Sequence, residues 1–433
     1  MAPRSSTRSR GRPRLRRTLG SLACLTLASS LLAACSGDSG PTEVTWYINP
    51  DSGGQDAIAE ECSTDEYTID TQVLPQDSSQ QRIQLSRRLA AEDPEIDLMS
   101  LDPPFTAEFA AAGFLAEVPQ QAKAQLEQQG TFKGAMDAAT WEDKLVVFPF
   151  WSNTQVLWYR KSFVDKAGID MSKPVTWDQI ITAASDNGGQ IGVQANKYEG
   201  YSVWINALIE GAGGQLVENA DQGVDLDLTI DSQAGEDAAK VIEELAGSEA
   251  APPDLSVSNE GTAQSTFGGD KGSFLVNWTY IFHIYDETSP EVAKDIGYTR
   301  YPQTVQGEES RPPYGGIGIA VSEFSDDKDF ALEAAACLVE PENQGINAEI
   351  TGNMPASTAG YEYPALADLY PKDLLQLFQE SVDTSAPRSV TPYWSDISSS
   401  LQNTWHPPAN VTQDTPPESQ EFTQQILEGG RLL

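Results

Sequence analysis

The stretch between residues 44 and 102 constrains the fold of this 433-residue chain more than any other. Val44, Trp46 and Ile48 alternate with Thr45 and Tyr47, the period of a strand with one buried face. Asn49-Pro50-Asp51-Ser52-Gly53-Gly54 then turns the chain into a helix running towards Cys62. A second strand follows at residues 67–74, a helix at 78–91, and an apolar strand at 96–101 that ends on Asp102. Strand, helix, strand, helix, strand is the rhythm of a mainly parallel sheet covered on both faces, and the chain is expected to be α/β.

The remainder keeps that character. Residues 144–150 and 154–160 read as two strands separated by a polar break, Trp151-Ser152-Asn153. Thr176-Trp177-Asp178-Gln179 has capping-box form and starts a helix. Further helices are expected at 201–210, 233–246 and 327–339, and strands at 190–194, 272–277 and 317–321. The carboxy-terminal third is mostly helical, broken by loops rich in Pro, Ser and aromatic residues.

The first 34 residues have the make-up of an export leader. Seven arginines and no acidic residue precede the apolar run 19–34, which closes on Leu32-Ala33-Ala34-Cys35. Small residues before a cysteine let a signal peptidase cleave and leave Cys35 as the lipidated amino terminus. The apolar run is shorter than the roughly 20 residues a spanning helix needs, so attachment to the extracytoplasmic face of the cell membrane is expected through lipid alone. Residues 35–43 read as a polar tether. Removing the leader with its seven arginines takes the formal net charge from −37 to −44, a surface that repels nucleic acid.

Cys24 leaves with the leader and Cys35 carries lipid, so Cys62 and Cys337 remain as an even pair in an oxidising compartment. The count allows a disulfide or two isolated buried thiols. His283 and His406 lie far apart and near no cysteine, so no metal site is expected. A phosphate-cradling Gly-rich loop with Lys and a Gly-x-Ser-x-Gly elbow are both missing, and no cofactor is expected.

Taken in order, the lipobox, Val44-Thr-Trp-Tyr-Ile48, Asp97-Leu-Met-Ser-Leu-Asp102, Phe148-Pro149, Leu157-Trp-Tyr-Arg-Lys161, Pro174-Val-Thr-Trp177, Gly272-Ser-Phe-Leu-Val-Asn-Trp278, Gly315-Gly-Ile-Gly-Ile319 and Pro341-Glu-Asn-Gln344 resemble family 1 extracellular solute-binding proteins, the maltose-binding-protein-like sugar receptors of ABC importers. Tyr47-Ile-Asn-Pro-Asp-Ser-Gly-Gly-Gln55, Trp151-Ser-Asn153 and Pro387-Arg-Ser-Val-Thr-Pro-Tyr393 are similar to the trehalose-binding lipoproteins of actinobacterial importers. The resemblance implies a periplasmic-binding-protein fold of type II, two α/β lobes joined by crossing hinge segments. Lobe I would hold residues 44–149 and 314–355, and lobe II residues 150–313 and 356–433. This places Cys62 and Cys337 in one lobe. It also implies a receptor without enzymatic activity, which passes a disaccharide or oligosaccharide to a permease whose ATPase is a separate chain; a monomer is the default for a chain on a lipid tether.

A sugar offers hydroxyls around an apolar C–H face, so its receptor needs carboxylates, amides and guanidinium groups for the rim and aromatic rings for the face. By the resemblance, Asp102, Asn153, Glu260 and Arg388 hydrogen-bond hydroxyls and Trp278 stacks on a ring. Asn49, Gln55, Trp151, Tyr314, Gly315 and Gly316 would lie near them, the two glycines letting backbone amides approach the ligand. On residue type alone Asp102 serves equally to cap the turn before Pro103-Pro104, Glu260 reads as a solvated charge, Trp151 and Trp278 as core, and Arg388 as a structural ion pair. The alternatives from other classes are a lipid-anchored glycoside hydrolase, since 64 acidic residues offer many carboxylate pairs, and a receptor for another oligosaccharide, a peptide or a metal.

Overall fold

The structure, a computed structural model, describes residues 40–431. The leader, the lipidation site Cys35 and the tether up to residue 39 lie outside the described residues. Eight strands form the main sheet: β1 (Thr42–Ile48), β2 (Tyr67–Val73), β3 (Leu98–Leu101), β4 (Phe148–Arg160), β5 (Gln190–Gly192), β6 (Gly272–Trp278), β7 (Ile296–Thr299) and β8 (Tyr314–Val321). Their order is β2-β1-β3-β8-β4-β6-β5, with β7 also paired to β4. The helices that bear on the site are α1 (Gly54–Glu61), α2 (Ser78–Leu89), α3 (Thr106–Ala111), α4 (Glu199–Gly211), α5 (Glu260–Gly268), α6 (Lys328–Leu338), α7 (Pro341–Thr351) and α8 (Trp394–Thr404).

The opening rhythm is as expected. Val44, Trp46 and Ile48 are buried while their neighbours are half-exposed, and β1 pairs in parallel with both β2 and β3. The strand begins at Thr42, two residues earlier than the sequence suggests, because Thr42 and Glu43 pair with Tyr67 and Thr68. The capping box is present at the helix Trp177–Asn187: Thr176 Oγ1 accepts from Gln179 N–H at 3.2 Å, and Gln179 Oε1 accepts from Thr176 N–H at 3.0 Å.

Two expectations are corrected. The sheet is mixed rather than mainly parallel, since β8 runs antiparallel to β3 and β4, and β6 and β7 run antiparallel to β4. The polar break at Trp151-Ser152-Asn153 does not exist either: β4 is one strand of 13 residues. Its first half pairs with β8 and its second half with β6 and β7. Ser152, Thr154 and Gln155 are tolerated inside it because each finds a distant partner. Ser152 Oγ lies 3.1 Å from Tyr314 Oη, Thr154 Oγ1 donates to Pro313 O at 2.7 Å, and Gln155 Nε2 to Gln194 Oε1 at 2.7 Å. Residues 144–145 instead form a short hairpin with 140–141.

Cys62 and Cys337 are joined as a disulfide with Cα atoms 5.9 Å apart, tying α1 to α6 across 275 residues of sequence. Opening this loop by Cys62→Ser with Cys337→Ser is expected to cost about 2–5 kcal/mol of stability, read from the urea midpoint of the non-reduced protein against the variant. Near the end of α4, burial pushes the Glu210 carboxyl up from 4.5 to about 7, with Arg311 opposing. Between those values the native state keeps a proton that the unfolded chain has released, so this group lowers stability as pH rises through the window. Glu210→Gln should remove that slope, at most about 3 kcal/mol, measured by denaturation at pH 5 and pH 8.

Candidate functional site

A cavity of about 780 Å³ opens where both halves of the sheet present loops. From the β1–β3 half come the turn Asn49-Pro50-Asp51-Ser52, Asp77 before α2, and Asp102 at the end of β3. From the β5–β6 half come Tyr198 and Glu199 at the start of α4, Asn259 and Glu260 at the start of α5, and Trp278 at the end of β6. Trp151 and Asn153 of β4, Gly315 and Gly316 of β8, and Arg388 complete the part of the wall that the sequence singles out. Nine of the eleven expected positions thus share one cavity: Asp102, Asn153, Glu260, Trp278, Arg388, Asn49, Trp151, Gly315 and Gly316.

Gln55 and Tyr314 sit one layer behind that wall. Gln55 is fully buried; its Nε2 donates to Asn49 O at 2.8 Å and to Asp51 Oδ2 at 3.0 Å, and its Oε1 accepts from Ser100 Oγ at 2.8 Å. It fixes the β1–α1 turn. Tyr314 is buried with its hydroxyl against Ser152 Oγ, and burial raises its phenol pKa. Packing alone also requires the two glycines. A side chain at Gly315 would occupy the space of the Trp278 ring, 2.6 Å from Cζ3, and one at Gly316, where φ is +137°, would meet Trp151 O at 2.2 Å. Gly315 therefore seats Trp278, and Gly316 lets β8 cross β4 closely.

Arg388 is the charged centre of the site. Its Nη2 donates to Asp102 Oδ1 at 2.7 Å and its Nη1 to Glu199 Oε1 at 2.9 Å and Asp102 Oδ2 at 3.4 Å. Glu199 also accepts from Trp394 Nε1 at 2.8 Å and from Ser398 Oγ. Burial raises the Glu199 carboxyl, Arg388 opposing and Asp102 adding to the shift. Beside this centre, Ser395 Oγ of α8 donates to Glu108 Oε2 of α3 at 2.8 Å, and Glu108 in turn holds Arg82. Burial likewise raises Glu260, with Tyr198 and Trp278 pulling the other way and Asp77 pushing it further up.

Sequence reasoning missed Glu199, Asp77 and a chain of amides beneath the wall. Gln194 Nε2 donates to Asn277 Oδ1 at 3.1 Å, the same oxygen accepts from Trp278 N–H at 2.9 Å, and Asn277 Nδ2 donates to Glu260 O at 3.1 Å. With Gln155 bonded to Gln194, this chain runs from β4 to the first turn of α5 and positions both Glu260 and Trp278. The signal in the sequence was polar residues inside otherwise apolar strands. Among the described residues no cluster suited to a metal ion occurs, and no helix is long and apolar enough to cross a membrane.

A sequence profile of the bacterial extracellular solute-binding protein family matches residues 53–345. The chain belongs to that family. A probable ABC transporter-binding protein of Deinococcus radiodurans is 24% identical over 265 residues, 58% of this chain and 58% of that protein, so the match spans little more than half of the relative's length. Among solved structures, maltose-bound MalE3 of T. maritima superposes with a TM-score of 0.79 at 20% identity, covering 90% of this chain and 100% of that one. The GacH receptor of Streptomyces glaucescens, solved unliganded and with acarbose, gives 0.74 at 21% identity, covering 90% and 98%. At these identities the family's two-lobed α/β fold is what is shared.

Glu199→Ala should destabilise the protein by about 3–5 kcal/mol by leaving the buried Arg388 guanidinium with one carboxylate, and Glu199→Gln by less, since the amide oxygen still accepts from Arg388 and Trp394. Chemical denaturation of the two variants measures the difference.

Proposed function

We propose that this protein is the substrate-binding receptor of an ABC importer, capturing a sugar outside the cytoplasmic membrane and performing no chemistry on it. The observation that carries the reading is the single cavity walled by both halves of the sheet, lined with carboxylates, amides, one guanidinium and the Trp278 ring. Family membership supports it, and the maltose and acarbose complexes of structural neighbours support a glycoside ligand. Asp102, Asn153, Glu260 and Arg388 hydrogen-bond hydroxyls, Trp278 stacks on a sugar face, and Asn49, Trp151, Gly315 and Gly316 shape the pocket, with Gln55 and Tyr314 behind them. The ligand is trehalose or a similar α-glucoside; the motifs around Asn49, Trp151 and Arg388 support that choice.

Lobe I comprises residues 44–149 and 314–355, and lobe II residues 150–313 and 356–433. The passage of β4 from one half of the sheet to the other supports a hinge there. Sugar binds one lobe, the other closes over it, and the closed form docks on the permease as a monomer. Cleavage before Cys35 and lipidation of its thiol hold the receptor at the membrane surface, supported by the basic leader and the Leu32-Ala33-Ala34-Cys35 sequence.

The test is calorimetry and thermal shift on the protein without its leader, against trehalose, maltose, sucrose, glucans, monosaccharides and peptides. An α-linked disaccharide at 100 times its Kd should add about 2.7 kcal/mol of stability. Trp278→Ala and Glu260→Ala should abolish that gain while leaving the far-ultraviolet circular dichroism unchanged. Stabilisation by a peptide and by no sugar would overturn the ligand class, and turnover of a chromogenic glycoside would make the protein a hydrolase.

A further inference from the structure

Helix amino termini ordinarily attract anions, because their first N–H groups are unpaired and the peptide dipoles add. Of those that face this cavity, α1 and α2 have their N–H groups taken by a carboxylate of the chain itself, and α4 and α5 begin on a glutamate. Asp51 accepts from Gly53 N–H at 2.8 Å and Gln55 N–H at 3.0 Å at α1, and Asp77 accepts from Gln80 N–H at 2.9 Å at α2. Glu199 is the first residue of α4, and Glu260 the first of α5. Asp102 brings the carboxylates in the wall to five.

Among the described residues Arg388 is the one basic side chain in that wall. Both its terminal nitrogens are taken up by Asp102 and Glu199, which leave only Nε without a partner. Arg388 is 6% exposed, so it cannot swing out to meet a charged ligand without breaking two buried ion pairs. Asp51, Asp77 and Glu260 form no ion pair among the described residues. Asp77 and Glu260 come from opposite halves of the sheet, and Asp77 adds negative potential where Glu260 stands.

Resting on the proposed function, we infer that the cavity accepts neutral and amine-bearing sugars and refuses anionic ones such as uronates and sugar phosphates, with Asp77 and Glu260 as the residues that set this selectivity. An acidic group on the ligand meets no spare cation in the wall, and Asp77 and Glu260, which form no ion pair, repel it. A hydroxyl donates to the same carboxylates, and an ammonium group donates and is attracted.

Calorimetry on the leaderless protein with trehalose and maltose, the 6-carboxylate of each and the 6-amino-6-deoxy form of each tests this, since amine and carboxylate are of similar size. The carboxylate should bind on the order of 10- to 100-fold more weakly than the amine. The gap should narrow as salt rises from low to high ionic strength. Asp77→Asn, which keeps a capping side chain at α2, should raise the carboxylate-to-neutral affinity ratio severalfold, as should Glu260→Gln. Equal binding of carboxylate and amine, or a ratio unmoved in both variants, overturns the inference while the receptor reading stands. Failure of every sugar to bind overturns the receptor reading and the inference with it.

Discussion

Everything in this fold hangs on the continuity of the strand Phe148–Arg160. It is the one element paired with β8 on one side of the molecule and with β6 and β7 on the other. Its middle is buried and polar, and an unpartnered hydroxyl or amide there would cost more than the strand pairing gains. The long-range bonds of Ser152, Thr154 and Gln155 remove that penalty, and in doing so they set the register of everything that converges on the cavity. Trp151 and Asn153 reach the wall because the strand does not break between them.

The cavity is held by polar groups that are themselves held. Asp102 and Glu199 fix Arg388, and Trp394 and Ser398 fix Glu199. Gln55 fixes the turn that carries Asn49 and Asp51. The relay from Gln155 through Gln194 and Asn277 fixes the first turn of α5. Such a layered arrangement suits a receptor, since groups already oriented lose little conformational freedom when a ligand arrives.

How much of this was legible depended on the reach of each signal. The strands and helices of residues 44–102 could be read because burial alternates locally, at Val44, Trp46 and Ile48. The break expected at Trp151-Ser152-Asn153 was misread because the partners of Ser152 and of the next residue, Thr154, lie more than 150 positions away. Asp102 and Arg388, 286 residues apart, entered through the family resemblance, and no local pattern joins them. Glu199 and Asp77 were passed over because a carboxylate at a helix start looks like an ordinary cap. Gln55, Gly315 and Gly316 were named for the right region, but their packing roles were not legible, since supporting and contacting residues share one composition. The antiparallel return of β8 and β4 was invisible because strand direction leaves no mark on side-chain alternation.

The place of β8 in the chain has a consequence for how the molecule comes into being. β3 ends at Leu101, and its neighbour on the open side, β8, starts only at Tyr314. The disulfide partner of Cys62 comes later still, at Cys337. A polypeptide emerging amino terminus first therefore keeps its opening sheet unfinished, with an unpaired edge, until about three quarters of it has appeared. The same discontinuity means that no single cut can divide the sequence into two pieces that each contain a whole half of the sheet.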